Sequence, residues 1–227
     1  MKKSILLSVF ILKALFLGAQ QKTIKFHNPS FEHTFSGNKS FINKKSNDTL
    51  LYLQMGDLFL LEEMGWSSCG YENTSPPDVQ PGRFGVTAKA EDGKTYISMV
   101  TRADKTWEGL SQKLPETLKK DTCYEFSISL MRAPNLLSAT AKSNKPQLFS
   151  AACRLRVYGG RKSCRGTLLV ETAPIRESKW LRYRLQFTPR ENINWISFEA
   201  AYSGDIPENG NIMLDNLSDI TLIPCKK

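Results

Sequence analysis

The sequence predicts an all-β protein, an antiparallel β-sandwich in a single domain. From residue 95 onward, period-two or apolar runs follow one another, with Gly, Pro, Asn or Asp clusters between them. These runs are TYISMVTR, TCYEFSISLM, ACRLRVYG, GTLLVET, WLRYRLQFTP, NWISFEAAY and NIMLDNLSDITLI. No strong helical pattern separates them. A series of this kind is typical of two antiparallel sheets packed face to face.

Strict alternation in two of the runs assigns one apolar face to each strand. The apolar positions are Tyr124, Phe126, Ile128 and Leu130 in the first run and Leu181, Tyr183, Leu185 and Phe187 in the second. Polar residues, including Arg182 and Arg184, occupy the alternate positions of the second run. Such half-buried strands belong to a sheet with one face on the core and one face in solvent.

The N-terminal residues 1–19 predict a removable secretory signal. Lys2 and Lys3 precede an apolar stretch interrupted only by Lys13, and Gly18 and Ala19 are the small residues that signal peptidases prefer. The mature chain of residues 20–227 is then exported to the periplasm, the outer surface or the medium. Removing three lysines lowers the formal net charge of +9 by three. This modest, scattered excess does not predict nucleic-acid binding.

The five cysteines predict disulfides, because an exported chain enters an oxidising compartment. Cys153 shares strand parity with apolar neighbours, so we expect a small buried hydrophobe. The other four allow three pairings, of which we favour Cys123 with Cys225 because they begin one strand and end the last. Cys69 and Cys164 are the other two of these four cysteines. None has the spacing of a structural zinc site.

The segment 33–64 departs from the strand pattern and is predicted as an insertion. A polar loop over residues 33–49 precedes the run LLYLQMGDLFLLEEMGW. An amphipathic helix fits the apolar residues Leu51, Met55, Leu58, Leu61 and Met64. Two strands divided at MGD fit nearly as well, and both alternatives stay open.

Two carboxylates stand in otherwise apolar surroundings near the chain ends. Glu32 ends the stretch NPSFE, and Asp215 interrupts the last long apolar run. An ionised carboxylate in such a place needs a partner. The first and last strands of a sandwich commonly lie close, so the two could share a calcium ion with Asp92 or its neighbouring carbonyls. The alternative is that they accept hydrogen bonds from turn N–H groups.

Several motifs, in order, carry a family resemblance. They are NPSFE, GW at 65–66, DGKTYISMV at 92–100, WEGLSQKL at 107–114, CYEFSISL at 123–130 and LDNLSDI near the C-terminus. Over residues 26–225 the chain resembles the galactose-binding-like jelly-roll modules, which include carbohydrate-binding modules of bacterial secreted enzymes and surface proteins. The resemblance implies a jelly roll and a structural calcium held by Glu32, Asp92 and Asp215. The insertion at 33–64 departs from the family.

The sequence carries few motifs that are typical of enzymes, and for this reason we expect the protein not to be an enzyme. No GxSxG, HExxH, P-loop or dinucleotide motif is present. His27 and His33 are the only histidines, both near the N-terminus. No nucleophile, base and orienting group can be assembled from the sequence.

Binding residues are predicted from the aromatic and arginine positions. Trp107, in the loop between two runs, and Tyr71, in the Pro-rich loop, are candidates for stacking against sugar rings. Arg154, Arg156 and Tyr158 alternate on one outward face, which suits the oxyanions of an acidic polysaccharide. The alternative is ordinary cross-strand pairing of arginines with Glu125 and Glu199.

The function predicted from the sequence is therefore binding of carbohydrate or another cell-surface ligand by an exported module. The runner-up is a structural protein of the cell envelope that contacts a protein partner. A hydrolase with an unrecognised site ranks third. Fold resemblance cannot choose among them, because function lies in the site.

Overall fold

The computed structural model of the chain describes residues 22–32, 61–70, 76–140 and 143–225. The predicted signal over residues 1–19, Tyr71 and residues 33–60 of the insertion lie outside these ranges. Of the proposed helical stripe only Leu61 and Met64 are described; residues 61–63 form a helical turn, and both side chains are buried in the core. None of the helical residues described here belongs to a helix long and apolar enough to cross a membrane.

The described residues form strands in two facing layers, as the sequence predicted. The first layer contains β1 (Thr23–Ile24), β3 (Asp78–Gln80), β4 (Tyr96–Thr101), β6 (Tyr124–Met131), β11 (Leu181–Phe187), β13 (Gly210–Asp215) and β14 (Ile220–Leu222). The second contains β2 (Ser67–Gly70), β5 (Glu108–Leu118), β9 (Ala151–Lys162), β10 (Arg165–Glu171) and β12 (Ile193–Tyr202). A small hairpin of β7 (Leu137–Thr140) and β8 (Ser143–Leu148) forms a separate two-stranded sheet.

The second layer has the order β2-β5-β12-β9-β10, and all its pairs are antiparallel. In the first layer β6 pairs with β11 on one side and with β13 and β14 on the other. The layers join where β9 begins, because residues 151–152 pair in parallel with residues 210–211 of β13. The result is the jelly-roll β-sandwich that the galactose-binding-like resemblance implied.

The space between the layers is filled by aromatic and branched side chains. The alternating residues Tyr124, Phe126, Ile128 and Leu130 of β6 are buried there, as their period of two predicted. Trp66 is 1% exposed and packs within 5.8 Å of Phe198, ring centre to ring centre. Burial of such rings is the main source of stability in a core of this kind.

A second buried cluster covers the other face of the first layer, which the sequence did not predict. Tyr96 and Val100 of β4 point away from the inter-layer core and pack with Met213 and with Phe149. The Tyr96 hydroxyl donates to the Ala88 carbonyl at 2.9 Å. Strand β4 is consequently buried at all six positions. Segments outside the strands supply this cover, so no alternation within β4 could reveal it.

Two disulfides join distant parts of the sandwich. Cys123 is bonded to Cys225, which confirms the favoured pairing and ties the start of β6 to the C-terminal segment. Cys69 is bonded to Cys164, across 95 residues of sequence. Cys153 is a free thiol with no exposed surface, also as predicted. Disulfides of this kind are compatible with an exported protein.

Candidate functional site

The outer face of the second layer carries a row of polar and aromatic side chains. Cys153, Leu155 and Val157 of β9 point into the core, so Arg154, Arg156 and Tyr158 point outward. On the neighbouring strand β12, Ser197 lies opposite Tyr158, and Glu199 lies opposite Arg156. This pairing brings residues that are far apart in sequence onto one surface.

A cavity of about 320 Å³ opens on this face. Its lining residues come from five strands, the turn between β9 and β10 and the residue before β5: Cys69, Trp107, Gly109, Tyr158, Cys164, Arg165, Gly166, Ser197, Phe198 and Glu199. Gly109 is required here, because a Cβ atom at this position would lie 2.7 Å from the Phe198 carbonyl oxygen. A larger residue would therefore push the two adjacent strands apart.

One wall of the cavity is held by the Cys69–Cys164 disulfide. Cys164 lies in the two-residue turn between β9 and β10, and Cys69 lies in β2. The Ser163 and Ser111 hydroxyls are 2.5 Å apart and reinforce the same contact. The hairpin tip is thus fastened to the far strands of its own layer, so the wall is fixed before any ligand arrives.

Glu199 forms the polar centre of the cavity. It accepts a hydrogen bond from the Trp107 indole and one from the Tyr158 hydroxyl, at 3.5 Å. Arg156 lies 4.0 Å from the same carboxylate oxygen. Burial raises the pKa of Glu199 above its ordinary value, against the opposing effects of Arg156 and of the two hydrogen bonds.

The structure brings Trp107 and Tyr158, two of the predicted binding residues, into one cavity. Arg154 and Arg156 lie on the same face but point their guanidinium groups at Glu171, with N–O distances of 3.3 and 2.5 Å. These two arginines are therefore paired with a carboxylate, but their main partner is Glu171, which the sequence alternative did not name; of the two glutamates that it did name, only Glu199 lies near, at 4.0 Å from Arg156. Their roles and that of Trp107 in ligand binding stay predictions.

The second arginine pair does not join this face. Arg182 and Arg184 lie on β11, which pairs with β6 in the first layer. Arg184 pairs with Glu125 at 3.4 Å. β9 and β11 thus lie in different layers, so these two arginines do not share a surface with Arg154 and Arg156.

The predicted metal ligands lie together at another place, around the loop 91–95. Asp215 accepts hydrogen bonds from the backbone N–H groups of Glu91, Asp92 and Asn216, at 2.7 to 3.0 Å. Glu32 accepts from the N–H groups of Lys94 and Thr95, at 2.8 and 3.0 Å. Because burial outweighs these bonds, the pKa of Asp215 rises to about 6.

The same loop binds the stretch NPSFE. The Ser30 hydroxyl donates to the Asp92 carboxylate at 2.6 Å, and the Pro29 carbonyl accepts from the N–H of Leu217. We call this set of hydrogen bonds the clasp; it joins Glu32 and Asp215 to the loop, and Asp92 of the loop to the stretch NPSFE. Its carboxylates face N–H and O–H donors, and the described part of the chain contains no group of three or more His, Cys, Asp or Glu placed to hold one metal ion. Calcium at the clasp stays a prediction.

Sequence reasoning missed Arg165, Ser197 and the disulfide wall. Strand parity on β12 could have placed Glu199 on the same face as Tyr158, given that the two strands are neighbours. The strand order itself is long-range information, since the hairpin tip meets β2 across 95 residues.

No protein-family model and no curated protein sequence matches this chain. Among solved structures, a cyclase from Fischerella sp. TAU is 14% identical, with a TM-score of 0.49; the match covers 91% of this chain and 99% of the cyclase. The CBM22-1–GH10 modules of endo-1,4-β-D-xylanase 10B from Clostridium thermocellum are 12% identical, with a TM-score of 0.41. That match covers 72% of this chain and 27% of the xylanase chain.

The K3 cleaved adhesin domain of Lys-gingipain from Porphyromonas gingivalis w83 is also 12% identical, with a TM-score of 0.43 over 70% of this chain and 89% of that domain. The prediction that the protein is not an enzyme is contradicted, because structures that match it over 91% of its length or more are cyclases. At these identities and TM-scores, the neighbours assign neither a ligand nor a reaction to this chain.

Proposed function

We propose that the protein binds a carbohydrate in the cavity of Trp107, Tyr158 and Glu199. The observation that carries this proposal is the meeting of two aromatic side chains and a carboxylate in one preformed cavity. Sugar rings present C–H faces to aromatic rings and hydroxyl groups to polar atoms, so a site for them needs both.

The cavity has the size and chemistry for a small polar ligand. Its volume of about 320 Å³ is at the lower end of the range of about 300 to 1,000 Å³ for ligand sites. Trp107 and Tyr158 are half-buried, so part of each remains available to a ligand. Glu199 accepts hydrogen bonds from both, and sugar hydroxyls can replace or extend those bonds.

Preorganisation favours binding at this place. The disulfide and the Ser111–Ser163 contact hold the wall, while Arg156 and the two aromatic residues orient Glu199. A ligand therefore does not have to order the site, and the free energy cost of ordering is reduced.

The experiment is a glycan-array screen of the purified protein, repeated with Trp107→Ala. We expect binding to a defined glycan and its loss in the variant, because the stacking surface is removed. Trp195→Ala is the matched control: Trp195 shares the outward parity of Glu199 on β12 but is not among the residues that line the cavity.

Both variants are checked for cooperative unfolding, so that loss of binding is separated from loss of fold. Equal binding by wild type and Trp107→Ala would place the site elsewhere. An array without any signal from folded protein would reject carbohydrate binding for the sugars tested, and the protein-partner function would then take first place.

A further inference from the structure

The charges around the cavity point to a more specific ligand. We infer that Arg165, with Lys162 beside it, binds an oxyanion on the sugar, so that the ligand is an acidic saccharide. This inference rests on the proposed function and adds the chemical class of the ligand. It also moves the recognition of acid from Arg154 and Arg156 to the turn end of the same β9–β10 hairpin.

The arginines on the open face are already matched by carboxylates. Arg154 and Arg156 bind Glu171 at 3.3 and 2.5 Å, and Arg156 approaches Glu199 at 4.0 Å. These two guanidinium groups and two carboxylates have no net formal charge. They can orient one another, but they leave no unmatched cation for a ligand.

Arg165 is different, because it lines the cavity and has no carboxylate within ion-pair distance in the described part of the chain. Its side chain is exposed. The other charged residue that lines the cavity is Glu199, and Arg156 lies 4.0 Å from its carboxylate, so the guanidinium group of Arg165 adds a positive charge at the wall. Its planar donors match the geometry of a carboxylate or sulfate group.

A second observation supports this role. Lys162 is the direct cross-strand partner of Arg165 in the β9–β10 hairpin, and it is also exposed. Like charges directly opposite each other in a sheet repel, so this pair destabilises the hairpin unless an anion lies between them. Arg161 of the same strand as Lys162 offers a contrast, because it pairs with Glu191 at 3.4 Å.

The disulfide makes the two cations part of the site. Cys164 directly precedes Arg165, and its bond to Cys69 holds the hairpin tip against β2. The positions of Arg165 and Lys162 relative to Trp107 and Tyr158 are therefore restrained. An acidic sugar can stack on the aromatic residues while its oxyanion reaches Arg165.

Two kinds of sugar supply such an oxyanion, namely uronic acids and sulfated sugars. The experiment measures affinity by calorimetry for two matched pairs of oligosaccharides. One pair is a uronic-acid oligomer and the same oligomer with its carboxyl groups reduced to alcohols. The other is a sulfated oligomer and its desulfated form. We expect at least one acidic form to bind about tenfold more tightly than its neutral form, with a preference that weakens as salt is added.

Arg165→Gln should abolish this preference for the acidic form, and Lys162→Gln should reduce it. Arg190→Gln is the control, because it removes an exposed arginine that does not line the cavity. Equal affinity for acidic and neutral forms, or a preference that survives Arg165→Gln, overturns the inference and leaves carbohydrate binding intact. Absence of binding to all four oligomers, together with an empty glycan array, rejects the proposed function itself.

Discussion

Two carboxylates of this molecule, Asp215 in the clasp and Glu199 in the cavity, are buried to different degrees and satisfied by different partners. Asp215 has no exposed surface, and backbone N–H groups donate to both of its oxygens. Glu199 is half-buried, and its partners are the side chains of Trp107, Tyr158 and Arg156. Burial raises the pKa of both.

This difference in hydrogen-bond donors shows how one carboxylate can stabilise the fold while another remains available to a ligand. The donors in the loop 91–95 are backbone N–H groups, which can change direction only if the backbone of the loop changes conformation. The hydrogen bonds of the clasp are therefore not available for exchange with a ligand. Side-chain donors around Glu199 can rotate, and the cavity is open, so a ligand can exchange with them. The following predictions test this contrast, beginning with the largest expected effect.

Asp215→Asn should lower the free energy of unfolding by about 2 to 4 kcal/mol. An amide has one acceptor oxygen, so its NH₂ group must face at least one of the N–H groups that donate hydrogen bonds to the wild-type carboxylate. Urea unfolding followed by tryptophan fluorescence measures the loss. A decrease below about 1 kcal/mol would mean that the clasp contributes little to folding.

The pH dependence of stability should carry the signature of Asp215. Its folded-state pKa of about 6 lies above the ordinary value of 3.8, so the folded protein binds this proton more tightly than the unfolded chain. The stabilisation is complete below about pH 4 and is lost as the pH rises to about 6. It amounts to up to about 3 kcal/mol.

The measurement compares wild type with Asp215→Asn at several pH values, because other carboxylates titrate equally in both. The stability difference in favour of wild type should shrink between about pH 4 and pH 6. A difference that stays constant or grows over this range contradicts a raised pKa for Asp215.

Gly93→Ala should destabilise the clasp by about 1 to 3 kcal/mol. Gly93 has a φ of 67°, and a Cβ atom there would lie 2.3 Å from the Glu32 carboxylate oxygen. The substitution therefore strains the loop and displaces Glu32 from the N–H groups of Lys94 and Thr95. Gly204→Ala is the matched control, since a Cβ atom at that glycine meets no atom within 4 Å.

Thermal unfolding of the two alanine variants gives the comparison. The melting temperature of Gly93→Ala should decrease clearly, and that of Gly204→Ala should stay near the wild-type value. Similar melting temperatures in both variants would show that the loop accommodates a side chain without loss of the Glu32 contacts.

Glu199→Gln should change stability by less than about 1 kcal/mol, the smallest effect in this series. Its ion pair with Arg156 is long and partly exposed, and an amide oxygen can still accept the Trp107 and Tyr158 bonds. Affinity for the bound glycan should fall by about tenfold, because a charged acceptor is replaced by a neutral one. A large loss of stability with unchanged affinity would reverse the roles assigned to Glu199 and Asp215.

Much of the sandwich was predictable because local alternation reports which face of a strand is buried. The apolar positions of β6 and the buried thiol of Cys153 followed from period-two patterns alone. The prediction for β11 was weaker: Leu185 and Phe187 are buried, whereas Leu181 is 36% exposed at the edge of the layer. An edge strand has no neighbour on one side to cover its end.

The candidate site was predictable only in part. Trp107 and Tyr158 were recognised individually, as an aromatic residue in a loop and an outward position on a strand. Nothing in either pattern indicated that they share a cavity with Glu199. Arg154 and Arg156 were placed on the correct face, but their matching by Glu171 depends on how β9 and β10 pair.

The sequence by itself determined the all-β class, the inward faces of the central strands and the need of the Glu32 and Asp215 carboxylates for partners, because each depends on neighbouring residues or on the chemistry of one side chain. Only the tertiary structure decided the layer of each strand, the cover over β4, the Cys69–Cys164 wall and the place of Arg165 at the cavity. These depend on contacts between residues distant in sequence, whose closure depends on the packing of the whole chain.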